Sequence, residues 1–258
     1  GNSVLEIANF SMEILLFLFF IAVVAGLLDT LAGGGGLISI PALILSGIPP
    51  LAALGTNKLQ GSMGTATATF LMIKNKKISL KQNKPLMIAA FVGATTGTIA
   101  LQFIDVAVLT FVIPVVLLII AVYFLIAPKV KPDQNHLSDS KYQKMVVPSI
   151  GFYDGMFGPG TGSFFALAGV SCKGHDIITS TAIAKSLNFA TNIASLIVFL
   201  FAGHIVWVVG LIMMLGQAIG AQAGAHFLFK INPAYLRVII VLMCTGMLIK
   251  YSFSMGWL

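Results

Sequence analysis

The sequence predicts an all-α polytopic membrane protein built from two homologous, inverted repeats. Each repeat is expected to hold a glycine-broken re-entrant helix hairpin and about three spanning helices. Three observations predict this. Hydrophobic residues make up 58% of the 258 residues and charged residues only 9%, far from the balance of a soluble domain. Uncharged stretches of spanning length recur at Pro85–Ile104, Val106–Ala127, Ser186–Gly203 and Ile205–Ala225, near the roughly 20 apolar residues that cross a bilayer as a helix. Finally, GLLDTLAGGGGLISIP around Asp29 returns as GFYDGMFGPGTGSFFA around Asp154, and a duplicated glycine-broken helix is the sequence mark of secondary transporters.

The repeat can be followed along the chain. A shift of 125 residues matches Gly26 with Gly151, Asp29 with Asp154, Gly33 with Gly158 and Gly35 with Gly160. Two inserted residues then change the shift to 127, which matches Gly47 with Gly174, Lys58 with Lys185, Ile78 with Ile205 and Gly93 with Gly220. An ordered series of this kind marks an internal duplication. It divides the chain into a first repeat over residues 1–128, a polar linker over 129–144 and a second repeat over 145–258.

The linker, KVKPDQNHLSDSKYQK, carries four lysines, and Lys74–Lys84 carries five. The positive-inside bias puts both on the cytoplasmic side, with two helices between them as an out-and-back pair turning at Asp105. After the linker, Val146–Phe157 and Gly160–Val170 are each about a dozen residues, too short to span alone. Read as a re-entrant hairpin, they leave Lys173, Lys230 and Arg237 inside and His204 outside. Read as one crossing, they put those three basic residues outside, against the bias. An odd number of crossings per half then inverts the second half. No basic stretch precedes the first apolar run, so no cleavable signal peptide is expected.

Broken backbone at membrane depth is tolerated only inside protein or beside a wet cavity. Gly33, Gly34, Gly35 and Gly36 form one break, and Gly158-Pro159-Gly160-Thr161-Gly162 the other. Half-helices starting after them, at Leu37 and Ser163, would aim free N–H groups and a positive dipole end at the break, a geometry that binds oxyanions. Ser39, Thr161 and Ser163 add hydroxyls. Glycine is expected at Gly35 and Gly160 for positive φ and close approach. Gly97, on a small-residue packing surface, is expected to tolerate alanine.

Lys58 and Lys185 sit in matched segments, each expected to open a spanning helix, with Thr56, Asn57, Gln60, Asn188 and Asn192 nearby as donors. Two roles stand open for the lysines: lining an anion site, or pairing as Lys58 with Asp29 and Lys185 with Asp154. Asp29 and Asp154 are also candidates for coupling protons, because burial raises a carboxylate's pKa. Cys172 and Cys244 are too few for a disulfide framework, and no metal-ligand spacing occurs.

At these residues the chain resembles the sulfite exporter (TauE/SafE-type) family of membrane permeases. Asp29, Gly33–Gly36, Pro41, Gly47 and Thr56-Asn57-Lys58 fit its first-half pattern. The second half fits at Gly158–Gly162 but has Ala184 in place of the asparagine. The resemblance implies a transporter of sulfite, sulfonates or related small acids, in the bacterial inner membrane. The expected partners are a small anion, protons as a coupling ion, the bilayer and a second copy as a homodimer. No nucleic acid, cofactor or metal is expected, and no enzymatic activity. A passive anion channel is the alternative.

Overall fold

The computed structural model describes residues 10–126, 131–132 and 136–258. In the first half α1 is Met12–Ala32, α2 Gly36–Leu45, α3 Pro50–Lys74, α4 Leu80–Gln102 and α5 Val106–Ile126. In the second, α6 is Asp139–Lys141 and continues through a π-helical turn, Tyr142–Val146, into α7, Val147–Met156. There follow α8 Thr161–Lys173, α9 Ile177–Ala202, α10 Trp207–Phe227 and α11 Pro233–Ser254. Among the described residues all the regular structure is helical.

The boundaries follow local chemistry. Ser11 caps α1 by accepting from Ile14 N, Asp105 accepts from Ala107 N at the start of α5, and Asp176 caps α9 through Thr179 N. Gly33, Gly174 and Gly203 end α1, α8 and α9 in left-handed conformations, which glycine adopts without strain. The spanning helices start in matched register: α3, α4 and α5 at Pro50, Leu80 and Val106, and α9, α10 and α11 each 127 residues later.

Among the described residues six helices are long and apolar enough to cross a membrane: α1, α4, α5, α9, α10 and α11. The 25-residue α3 is as long, but it carries Thr56, Lys58 and Gln60 buried inside the bundle. Such polar burial marks a helix that faces protein rather than lipid. Leu215, Leu242, Phe20 and Phe111 are exposed on the outside, where hydrocarbon would cover them.

Two expectations about lengths need correction. The segment before the second break is not a dozen residues, because helix runs unbroken from Asp139 to Met156, taking in the end of the linker. Pro148 lies at the start of α7, and the π turn before it accommodates a ring that a regular helix would set against an earlier carbonyl. Nor do the two lysines open their helices. Lys58 is the ninth residue of α3 and Lys185 the ninth of α9, over two turns deep.

The halves interlock. α1 packs along α10, and α7 packs along α4; by the repeat these are the same contact made twice, each joining one half to the other. Both seams depend on glycine. A Cβ on Gly220 would lie 2.0 Å from Val23 O, and one on Gly26 2.4 Å from Gln217 O. On the other seam a Cβ on Gly97 would lie 2.1 Å from Phe152 O, and one on Gly155 2.2 Å from Ala94 O. Backbone cannot yield by such amounts, so the expectation that Gly97 tolerates alanine is wrong.

Candidate functional site

The two breaks come together in the centre of the bundle. A Cβ built on Gly33 would lie 2.7 Å from Ser163 N, and one on Gly36 3.4 Å from the Cα of Pro159. Backbone thus meets backbone between the halves. Gly33, Gly158 and Gly160 have φ of 77°, 103° and 86°, so each needs glycine for conformation. Gly35 does not: its φ is −59°. It is needed for space, because a Cβ there would lie 2.6 Å from Ala25 O and from Asp29 Cβ.

Beside this meeting lies a small polar cavity of about 30 Å³, room for about two waters. From the first half it is lined by Asp29, Gly35, Gly36, Ser39, Asn57 and Lys58. The second half contributes Asp154, Gly158, Asn188 and Asn192. Gln217 of α10 also lines it.

An ion pair dominates the cavity. Lys58 Nζ lies 2.9 Å from Asp154 Oδ1 and donates to the Asp154 carbonyl at 2.6 Å. Thr161 Oγ1 donates to the same carboxylate oxygen at 2.7 Å. The pairing therefore crosses between the halves, in contrast to the expected Lys58–Asp29 pair within one half. The reason is that α7 and α3 converge on the cavity, while Asp29 is turned to its own break and accepts from Gly35 N at 3.1 Å.

Lys185 makes only half of the equivalent arrangement. Its Nζ donates to the carbonyls of Thr30 at 2.7 Å and Asp29 at 3.4 Å. Among the described residues no carboxylate oxygen lies within 4 Å of it, so the expected Lys185–Asp154 pair is absent here too. Lys185 lines a second cavity of about 100 Å³, together with Gly33, Gly162 and Ser163.

Other predicted residues support these cavities or lie apart from them. Gln60 Nε2 donates to Ser39 Oγ at 2.9 Å and to Gln217 Oε1 at 2.8 Å, holding the cavity wall. Asn192 Nδ2 donates to Thr65 Oγ1 at 3.3 Å. Thr56 accepts from Val206 N at 3.0 Å, binding α3 to the α9–α10 turn away from either cavity. Gly34 and Gly160 face the apolar side chains of Ile240, Ile120 and Phe124. Sequence reading missed Gln217, although an amide in the middle of the apolar run of α10 was a usable signal. It also gave Arg237 only a topological role, although it is the single arginine in the chain.

Spanning helices around a polar chamber, with two broken helices meeting at it, give the layout of an integral membrane transporter. The model of the family "Sulfite exporter TauE/SafE" matches residues 18–251, and the chain belongs to that family. A "Probable membrane transporter protein" of Haemophilus influenzae is 39% identical over 251 residues, 96% of this chain and 98% of the relative. Another, ORF9 of Sinorhizobium sp, is 39% identical over 94% of both chains. YfcA of Escherichia coli K12 is 38% identical over 92% of this chain and 89% of its own. No solved structure matches the chain. The chain is thus a membrane transporter and not an enzyme, as its sequence led us to expect.

Proposed function

We propose that this protein is a secondary transporter of a small anion (sulfite, a sulfonate or a related organic acid) in the bacterial inner membrane. Its halves are inverted repeats around the central cavity. The observation that carries this reading is the meeting of the two breaks at a chamber lined by both halves. In this reading α1, though long enough to span, and α7 each pair with the short helix after the break as a hairpin that enters and leaves on one side. The three crossings of each half are α3–α5 and α9–α11, and the 129–144 linker is cytoplasmic. The crossed α1–α10 and α7–α4 seams support two halves related by a dyad, and the lysine placement that keeps Lys173, Lys230 and Arg237 inside favours the inverted arrangement.

The charges of the chamber suggest how a proton would couple. Lys58 faces two acids, Asp29 and Asp154, so the chamber does not attract an anion while both are ionised. Protonating Asp154 would free the Lys58 ammonium for an incoming oxyanion, at the low dielectric where charge pairing is strong. Asp154 Oδ2 is buried without a hydrogen-bond partner among the described residues.

The test is sulfite flux into proteoliposomes under imposed pH gradients and in counterflow. A coupled carrier shows saturable counterflow and a response to ΔpH at zero voltage. Flux that follows only voltage and the anion gradient, without counterflow, would show the channel instead. Asp154→Asn leaves Lys58 unpaired, so its melting temperature and elution profile are checked first; loss of ΔpH response with counterflow retained by the folded variant is the expected signature of the coupling acid.

A further inference from the structure

The second cavity differs from the central one in the sign of its charge. Its lining includes two cations, Lys185 and Arg237, and no acid. Lys185 is 7% exposed, and its bonds are to carbonyls alone. Arg237 stacks over the Phe124 ring at 5.8 Å, and its buried Nε has no hydrogen-bond partner among the described residues. Among the described residues neither cation has a carboxylate within 4 Å. Asp29 lies near enough to Lys185 to act on its charge but forms no ion pair with it, and two cations without an ion pair beside one half-open cavity favour an anion that joins them.

Backbone donors point the same way. Gly162 and Ser163, in the first turn of α8, line this cavity. Their amides have no acceptor among the described residues. A helix N-terminus with free N–H groups beside two cations forms a compound oxyanion seat. The opposite walls are apolar, formed by Leu31, Ala166, Leu167 and Ile177. The cavity adjoins a wider cleft of about 520 Å³, with which it shares Leu31, Ile177, Thr181 and Pro233, and which Lys230 borders. That cleft gives an approach from the side that the topology above makes cytoplasmic.

We propose that this chamber is a second anion site, separate from the central cavity, where a small oxyanion waits before transfer. Lys185, Arg237 and the α8 amides hold the head, and the apolar walls take a short aliphatic stem. The volume of about 100 Å³ admits a handful of non-hydrogen atoms and no long chain. The site exists on one side only. The residue matched to Arg237 by the 127-residue shift is Thr110, so the opposite approach lacks the guanidinium and the device is polar along the transport path. The inference rests on the transporter reading for its purpose but not for its binding chemistry.

The test is calorimetric titration of the purified full-length protein with acetate, propionate and octanoate. Wild type should bind propionate more tightly than acetate, and octanoate should not compete. Arg237→Gln should weaken propionate binding about tenfold to a hundredfold, the loss of a charge-assisted pair of hydrogen bonds. Arg237→Lys should fall between, and Thr110→Val should leave binding unchanged. Elution profile and melting temperature of each variant separate lost binding from lost fold. No propionate binding by wild type overturns the proposal, as does equal binding by Arg237→Gln, or octanoate competing as well as propionate. Sulfite flux by wild type, measured alongside, keeps the two readings apart. Flux without propionate binding removes the waiting site alone, and binding without flux removes the transporter reading alone.

Discussion

Lys58 and Asp154 join the two halves through a buried ion pair, Nζ to Oδ1 2.9 Å, with both side chains 2% exposed. The repeat offers the same partners a second time in Lys185 and Asp29, yet there the lysine reaches only carbonyl oxygens. One matched set is closed and the other open, and under the proposed carrier mechanism the two would exchange.

Removing one member of that pair should be far worse than removing both. Lys58→Met leaves Asp154 buried and uncompensated, a loss of about 3–5 kcal/mol. Adding Asp154→Asn should restore most of it, whereas adding Asp29→Asn should not. Thermal denaturation of the detergent-solubilised variants measures this. Equal rescue by the two asparagines would contradict the crossed pairing.

The glycine seams should be intolerant on both sides of the molecule. Gly220→Ala and Gly97→Ala put a Cβ about 2 Å from a carbonyl oxygen, and overpacking of this kind costs about 1–3 kcal/mol or more. Gly246, exposed in α11, has nothing within 4 Å of its Cβ position. Alanine there should be neutral or gain up to about 1 kcal/mol. Comparing melting temperatures of the three variants decides it, and a stable Gly97→Ala protein would rule out the α4–α7 seam.

Gly35→Val and Gly160→Val should each abolish sulfite uptake in proteoliposomes, for different reasons. At Gly35 the branched side chain collides with Asp29 and the Ala25 carbonyl, while at Gly160 the left-handed φ of 86° excludes it. Gly35→Ala should already be impaired. Uptake at wild-type rate by either valine variant, at equal membrane levels, would mean that the breaks are not part of the path.

Inversion makes a topological prediction. A reporter placed after Ser254 should read as periplasmic, and one in the 129–144 linker as cytoplasmic. Two cytoplasmic readings would replace inverted repeats with parallel ones.

Much was legible in the sequence, for physical reasons. A bilayer has no water to satisfy backbone groups, so composition and run length suffice to forecast helices, and the forecast runs Val106–Ala127 and Ile205–Ala225 became α5 and α10 within a few residues. The two glycine breaks stood out because nothing else tolerates such backbone in an apolar chain. Partner choice was not legible. That Lys58 meets Asp154 rather than Asp29 depends on how α3 and α7 cross, and that Gly97 touches the Phe152 carbonyl depends on a seam between residues 55 positions apart. Gln217 and Arg237 acquire their places only when α10 and α11 fold back on the other half. Sequence patterning records what each helix must bury, while the identity of what it is buried against is set by packing between distant segments, which only the tertiary structure decides.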